Sequence, residues 1–243
     1  MQENRKNIKI LVCYHKKDVL LKDDVLVPIH VGRALALRKK NSQDPELQWL
    51  LENTIGDNTG DNISEKNASY NELTALYWAW KNYDKLGNPD YIGLMHYRRH
   101  FIFRPSNKVV EECDGIDETY FDKINYNESS IEHLFDDCDF VAHVGQVDNV
   151  YKHYAENHHI EDLDLAIKIL KQKYPRYTKT ANKYLNLSYA NLCNMFILPK
   201  DLFFRYCKWI FDILQAFEDK TDLSEKRLFI SERLTGIFME QFK

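Results

Sequence analysis

Two strings carry the side chains best suited to reacting with a charged substrate. The first is His96-Tyr97-Arg98-Arg99, directly after an apolar run over 91–95. Arginine pairs phosphate oxygens bidentately and stays charged, so Arg98 or Arg99 could neutralise a departing diphosphate. Successive strand residues point to opposite faces, so the two are expected to differ in role. A salt-bridged surface pair is the alternative. The second string is 56–71, where Gly56-Asp57-Asn58 is echoed by Gly60-Asp61-Asn62 and followed by Ser64, Lys66, Asn67 and Tyr70. Its density of short polar side chains suits a clamp on hydroxyls or phosphates, with Lys66 as counter-charge; a solvated loop is the alternative. Ser69 and Glu72 stand at the spacing of a capping box, which would tie this loop to a helix N-terminus, a setting that favours anions.

Weaker groupings follow. Asp137-Cys138-Asp139 has the Asp-x-Asp spelling that holds a divalent ion, Mg or Mn, on a diphosphate. It precedes an apolar strand, however, where such a motif normally follows one. His153, His158 and His159 lie among Glu156, Glu161 and Asp162 without a zinc signature. Asp162 could take a proton from an acceptor hydroxyl, but as a helix N-cap it has a structural reading that is preferred. Glu232-Arg233 reads as a buried ion pair closing the core, in preference to an acceptor contact.

The elements that must position these groups alternate. Ile8 to Tyr14 is an apolar run suited to a strand covered on both faces, and it delivers His15 at its carboxyl end, where open α/β sheets bind ligands. Further strands are expected over 91–95, 139–143 and 195–198. Residues 40–67 read as a long polar loop. Helices are expected over 69–82, with Leu73, Leu76, Tyr77 and Trp80 facing the core, and over 161–173, 201–217 and 224–242. The order implies a layered α/β domain with a mostly parallel sheet flanked by helices.

Composition narrows the class. A chain of 243 residues suits one domain, read here as 1–243 with a half about 1–145 and a mainly helical half about 146–243. A formal charge of −4 argues against a nucleic-acid partner. No apolar stretch is long enough to span a bilayer and the N-terminus lacks a signal-peptide pattern, so a cytoplasmic protein is expected. Five scattered cysteines form no CxxC pair and read as small buried hydrophobes.

The strings IKILVCYHK, VPIHVGRALA, GDNTGDNISEKNASYNELTALYWAWKN, DYIGLMHYRRHF, VYKHYAENHHIEDLDLAIKIL and NMFILPKDLFFRYCKWIFDIL together resemble a bacterial capsule and exopolysaccharide family. That family, long described only as a domain of unknown function, includes the galactofuranosyltransferase domain of a bifunctional O-antigen polymerase. The resemblance covers nearly the whole chain and implies a GT-A-like fold. It implies inverting transfer of galactofuranose from a UDP-sugar donor to an oligosaccharide or lipid-linked glycan acceptor. With a lipid-linked acceptor, peripheral association at the inner face of the membrane is left open. The matching positions are His15, His30, Asp57, Asn58, Asp61, Asn62, Ser64, Lys66, Asn67, Tyr70, Glu72, His96, Tyr97, Arg98, Arg99, Asp162, Asn194 and Met195. Within them we expect Glu72 or Asp162 to act as base and Arg98 or Arg99 to hold the diphosphate. The 56–71 loop with His15, His30, His96 and Tyr97 would bind donor, and His153, Asn194 and Met195 acceptor. A pyranose-specific or retaining transferase and a non-catalytic glycan-binding module are the alternatives.

Overall fold

The computed structural model describes residues 6–104, 110–224 and 226–243. Among the described residues eight strands run β1 Ile8–Tyr14, β2 Leu26–His30, β3 Ile55–Gly56, β4 Tyr91–His96, β5 Val141–Ala142, β6 Gly145–Gln146, β7 Tyr189–Ala190 and β8 Phe196–Pro199. Six of them form one sheet in the order β3-β2-β1-β4-β8-β5, and β6 pairs with β7 alone. The first four are mutually parallel, while β8 runs antiparallel to both β4 and β5. Register aligns Tyr14 with His30, His30 with Gly56 and Cys13 with His96, so the parallel strands end together along one edge.

Alternation along β1 explains the layers. Leu11 and Cys13 enter one core, and Ile8, Ile10, Val12 and Tyr14 the other. The first core is closed by α4 (Leu73–Lys81), α7 (Val150–Asn157), α8 (Ile160–Lys173), α9 (Thr178–Tyr184), α10 (Lys200–Glu218) and α11 (Ile230–Glu240). The second is smaller and uses Leu50 of α2 (Pro45–Asn53), Phe101, and Ile131 of α6 (Glu128–Glu132). Shorter helices complete the chain: α1 (Arg33–Lys39), α3 (Asn67–Tyr70) and α5 (Tyr120–Lys123). The result is the α/β arrangement expected, GT-A-like, with a mostly parallel sheet flanked by helices. Among the described residues no helix is long and apolar enough to cross a membrane.

Several expectations need correction. The stretch 40–67 is not one loop, because α2 forms within it: the Asp44 side chain caps the Leu47 N–H, Pro45 opens the helix, and Leu47 and Leu50 bury. The helix expected over 69–82 is two, α3 and α4, broken at Asn71 (φ 50°, ψ −131°). Ser69 therefore lies inside α3, where its hydroxyl donates to the Leu223 carbonyl, and caps nothing. The strand expected over 139–143 shrinks to the edge pair Val141–Ala142. The last helix begins only at Ile230; position 225, within the longer helix expected, lies outside the described residues. Cys113 and Cys138 are exposed rather than buried, whereas Cys13 and Cys207 are core.

Candidate functional site at the strand ends

The carboxyl edge of the sheet gathers most of the candidate residues, but in two different conditions. On the β2–β3 side they are engaged with one another. Gly32, left-handed at φ 70°, sits at the N-cap of α1 without a side chain to cap it. Asp57 does that work from across the loop: fully buried, it accepts from Gly32 N at 2.7 Å and Arg33 N at 3.1 Å, and from the Ser64 hydroxyl. Ser64 in turn accepts from Ala34 N at 3.0 Å. His30 is buried, and burial first, then Arg33, lowers its pKa to about 4. Its Nδ1 accordingly accepts from Arg33 Nε at 3.3 Å. Arg33, which sequence reasoning passed over, also donates to the carbonyls of Leu50, Thr54 and Ile55.

The remainder of the loop is similarly tied. Asn62 Oδ1 accepts from Ser64 N, and Asn62 Nδ2 donates to the Gly60 carbonyl. Asn67 donates to the Asn71 carbonyl at 2.7 Å and packs so close to Gly32 that a Cβ there would meet its amide. Lys66 and the Tyr70 hydroxyl both reach Glu218 of α10, at 2.8 Å. Asn58 is half-buried and folds over Gly56. Asp61 is exposed, with Tyr77 OH 3.3 Å from its carboxylate.

The β1–β4 side differs. Strand β4 ends at His96, and His96 and Arg99 close a tight turn by exchanging backbone hydrogen bonds. Arg98 and Arg99 are thus turn residues, not strand residues, so the opposite-face argument does not apply to them. Both are exposed and neither has a carboxylate partner among the described residues. Tyr97 is buried, stacks on Tyr14 and meets the edge of His15, yet its hydroxyl has no hydrogen-bond partner among the described residues. Burial, then Arg98, lowers the pKa of the exposed-edge His15.

Opposite this turn lies a feature the sequence did not reveal. Cys193 and Asn194 are consecutive left-handed residues, φ 64° and 49°. Such backbone is costly for non-glycine residues and persists only where surroundings impose it. Here the imposing bonds are explicit. His96 Nε2 donates to the Cys193 carbonyl at 2.8 Å, and Cys193 N donates to Glu232 Oε1 at 2.8 Å. Asn194, buried, donates through Nδ2 to Glu72 Oε1 at 2.7 Å and to Ser231 Oγ at 2.8 Å, and accepts from Thr235 Oγ1 at 2.9 Å. The turn therefore holds two carboxylates, Glu72 and Glu232, that are far apart in the chain. Burial pushes the Glu232 carboxyl above its usual range, Arg233 opposes this, and Glu72 adds to it. Burial and then Glu232 push the Cys193 thiol up, Arg99 pulls it down, Glu72 pushes it up and Arg98 pulls it down. Two acidic and two basic side chains thus act on this thiol in opposite directions.

Other candidates lie apart from this group. Asp162 is in the first turn of α8, not at its N-cap, which is His159; its carboxylate pairs with Lys226 at 2.6 Å. His153 Nδ1 accepts from Arg233 Nη2 at 2.9 Å, while Arg233 Nη1 donates to Glu232 at 2.9 Å. Met195 is core, its carbonyl accepting from His143 N. Asp137 and Asp139 are exposed. Among the described residues no three His, Cys, Asp or Glu side chains are grouped to hold a metal ion.

The geometry can be set beside known proteins. No curated protein matches the chain. Among solved structures, the apo form of WbbM, a bifunctional glycosyltransferase, superposes with a TM-score of 0.81 at 32% identity, over 97% of this chain and 42% of that one. The chain therefore spans less than half the length of the WbbM chain it matches. Over residues 9–243 the sequence fits the family described as a domain of unknown function, DUF4422, and the chain belongs to that family.

Proposed function

We propose that this chain is a glycosyltransferase that moves galactofuranose from UDP-galactofuranose, with inversion, onto a growing capsular, exopolysaccharide or O-antigen glycan. The observation that carries the reading is the exposed pair Arg98 and Arg99, without a carboxylate partner among the described residues, near the carboxylates that the Cys193–Asn194 turn gathers. Likeness to WbbM, named a glycosyltransferase, supports the reaction class.

In this mechanism the acceptor hydroxyl oxygen attacks the anomeric carbon of the donor. Its proton passes to Glu72, whose Oε1 is fixed by Asn194. The anomeric C–O bond to the diphosphate breaks, and its electron pair leaves on UDP, where Arg98 and Arg99 meet the new charge. His15, His96 and Tyr97 border the donor, with the 56–71 loop shaping that edge. Asp162 is the second candidate base of the sequence; its pairing with Lys226 favours Glu72 for the role. Residues of about 1–145 would supply the donor side and those of about 146–243 the acceptor side. No step is routed through a divalent cation.

UDP release, measured over a panel of UDP-sugars with a glycan acceptor and with or without EDTA, tests the reading. Fastest turnover is expected with UDP-galactofuranose, the product carrying the anomeric configuration opposite to the donor's. Turnover with a pyranose donor alone, or retained configuration, would overturn the donor and stereochemical assignments. Thermal stabilisation by glycan but not by UDP, without turnover, would instead identify a binding module.

A further inference from the structure

A cavity of about 300 Å³ opens between the corner that joins α7 to α8 and the segment leading into α11. The aromatic part of its lining is the buried Tyr154 with the half-buried His158 and Phe229. The His158 ring stacks on Phe229 with centroids 4.4 Å apart and planes 18° apart, and Tyr154 leans on His158 at 4.9 Å. Burial, and then Arg233, lowers the pKa of His158, so at neutral pH this group of rings is uncharged.

The polar part of the lining has unused hydrogen-bonding capacity. Asp162 Oδ1 pairs with Lys226, leaving Oδ2 without a protein partner among the described residues. Asn157 uses its Nδ2 on the His153 carbonyl at 2.8 Å and keeps its Oδ1. Arg227, exposed, adds a planar donor with no carboxylate partner among the described residues. Flat apolar rings beside a carboxylate, an amide and a guanidinium match the two faces of a sugar: C–H bonds against the rings, vicinal hydroxyls against the planar polar groups. An anion is matched less well, since the lining contains a carboxylate and that carboxylate already neutralises Lys226.

The cavity also adjoins the strand-end site through one side chain. Arg233, almost fully buried, lies over the Tyr154 ring (5.3 Å) and donates to Glu232, which in turn holds the Cys193 N–H. A ligand beside Tyr154 is therefore linked to the Glu232 carboxylate through a single arginine. We propose that this cavity is a glycan subsite that grips a sugar of the acceptor chain remote from the one being extended. The proposal rests on the glycosyltransferase reading.

Saturation-transfer NMR with a galactose-containing tetrasaccharide, without donor, reads the subsite directly. Acceptor kinetics read its use. We expect tetrasaccharide binding to weaken about tenfold in Phe229→Ala, Asn157→Ala and Arg227→Ala and to persist in Arg98→Ala. The KM for a long acceptor should rise about tenfold in the same three variants, with kcat and the rate of UDP-sugar hydrolysis unchanged. Phe229 packs on the core, so the exposed Asn157 and Arg227 keep the test independent of folding. Normal transfer with no change of acceptor KM or tetrasaccharide binding in any variant overturns the subsite and leaves the transferase reading intact. Tetrasaccharide bound through these residues by a protein that transfers no sugar overturns the transferase reading and leaves the subsite. Capture of inorganic phosphate in place of the tetrasaccharide overturns the assignment to carbohydrate.

Discussion

The loop 56–71 and the turn 96–99 look alike in sequence, both dense in polar and charged side chains, but the fold employs them differently. In the loop, Asp57 serves the start of α1, Ser64 bridges Asp57 and Ala34, and Lys66 and Tyr70 fasten to Glu218. In the turn, Arg98 and Arg99 have no carboxylate partner among the described residues, and the buried Tyr97 hydroxyl has no acceptor. A buried polar group that is already hydrogen bonded has little to gain from a ligand; one that is unpaired has much. The lesson is that polar density alone does not mark a candidate site: the loop spends its polar groups on the fold, whereas the turn leaves its own free of protein partners among the described residues.

The largest expected effect tests the turn. Arg98→Ala and Arg99→Ala should keep the wild-type urea midpoint, and at least one should lower kcat by about 10²–10³, the loss of a well-placed donor to a developing oxyanion. Normal sugar transfer by both variants would remove the diphosphate role and with it the contrast. The next effect tests the loop. Asp57→Ala strands two backbone N–H groups and a hydroxyl in a buried site, so urea denaturation should show a loss of about 3 kcal/mol. The folded fraction should transfer sugar within a few-fold of wild type. An unchanged midpoint together with abolished UDP binding would move Asp57 from scaffold to ligand contact.

A comparable loss, reached by pH, sharpens the same side. His30 falls from 6.5 to about 4 on folding, so the unfolded chain binds its proton more readily than the folded one. The stability associated with neutral His30 is therefore fully present above about pH 6.5 and is lost as pH falls toward 4, amounting to about 3 kcal/mol. His30→Asn should flatten the dependence of the urea midpoint across that window. An equally steep profile in the variant would mean that other groups carry the acid sensitivity.

How much of this could be read from sequence follows from range. Strands β1 and β4 are announced by continuous apolar runs, and the basic and imidazole side chains at their ends follow from where those runs stop. The family resemblance likewise pointed to the sheet that is found. Glu72 was legible as a polar residue beside a helix, but its partner Asn194 lies 122 positions away, and Cys193 and Glu232 are brought together only by the packing of α11. No local periodicity encodes such a contact. The left-handed pair 193–194 was hidden for the same reason, since Cys and Asn in sequence do not declare a positive φ. In α2 the signal was present and overlooked: Asp44-Pro45 followed by Leu47 and Leu50 is a capped amphipathic start within a polar stretch.

The smallest effect concerns the hinge between the two regions. Asn71, at φ 50° and ψ −131°, breaks 67–81 into α3 and α4. That break ends the loop and presents Glu72 to Asn194 at the candidate site, instead of leaving it to close a capping box with Ser69. Such dihedrals are strained for asparagine and relaxed for glycine. Asn71→Gly should then raise stability by about 1 kcal/mol, less the added entropy of the unfolded chain, with kcat unchanged. Asn71→Ala favours a continuous helix, turns Glu72 away from Asn194, and should lower kcat more than it lowers the urea midpoint. If both substitutions left transfer untouched, the orientation of Glu72 would not depend on the break, and the loop and the turn would be joined by something other than this residue.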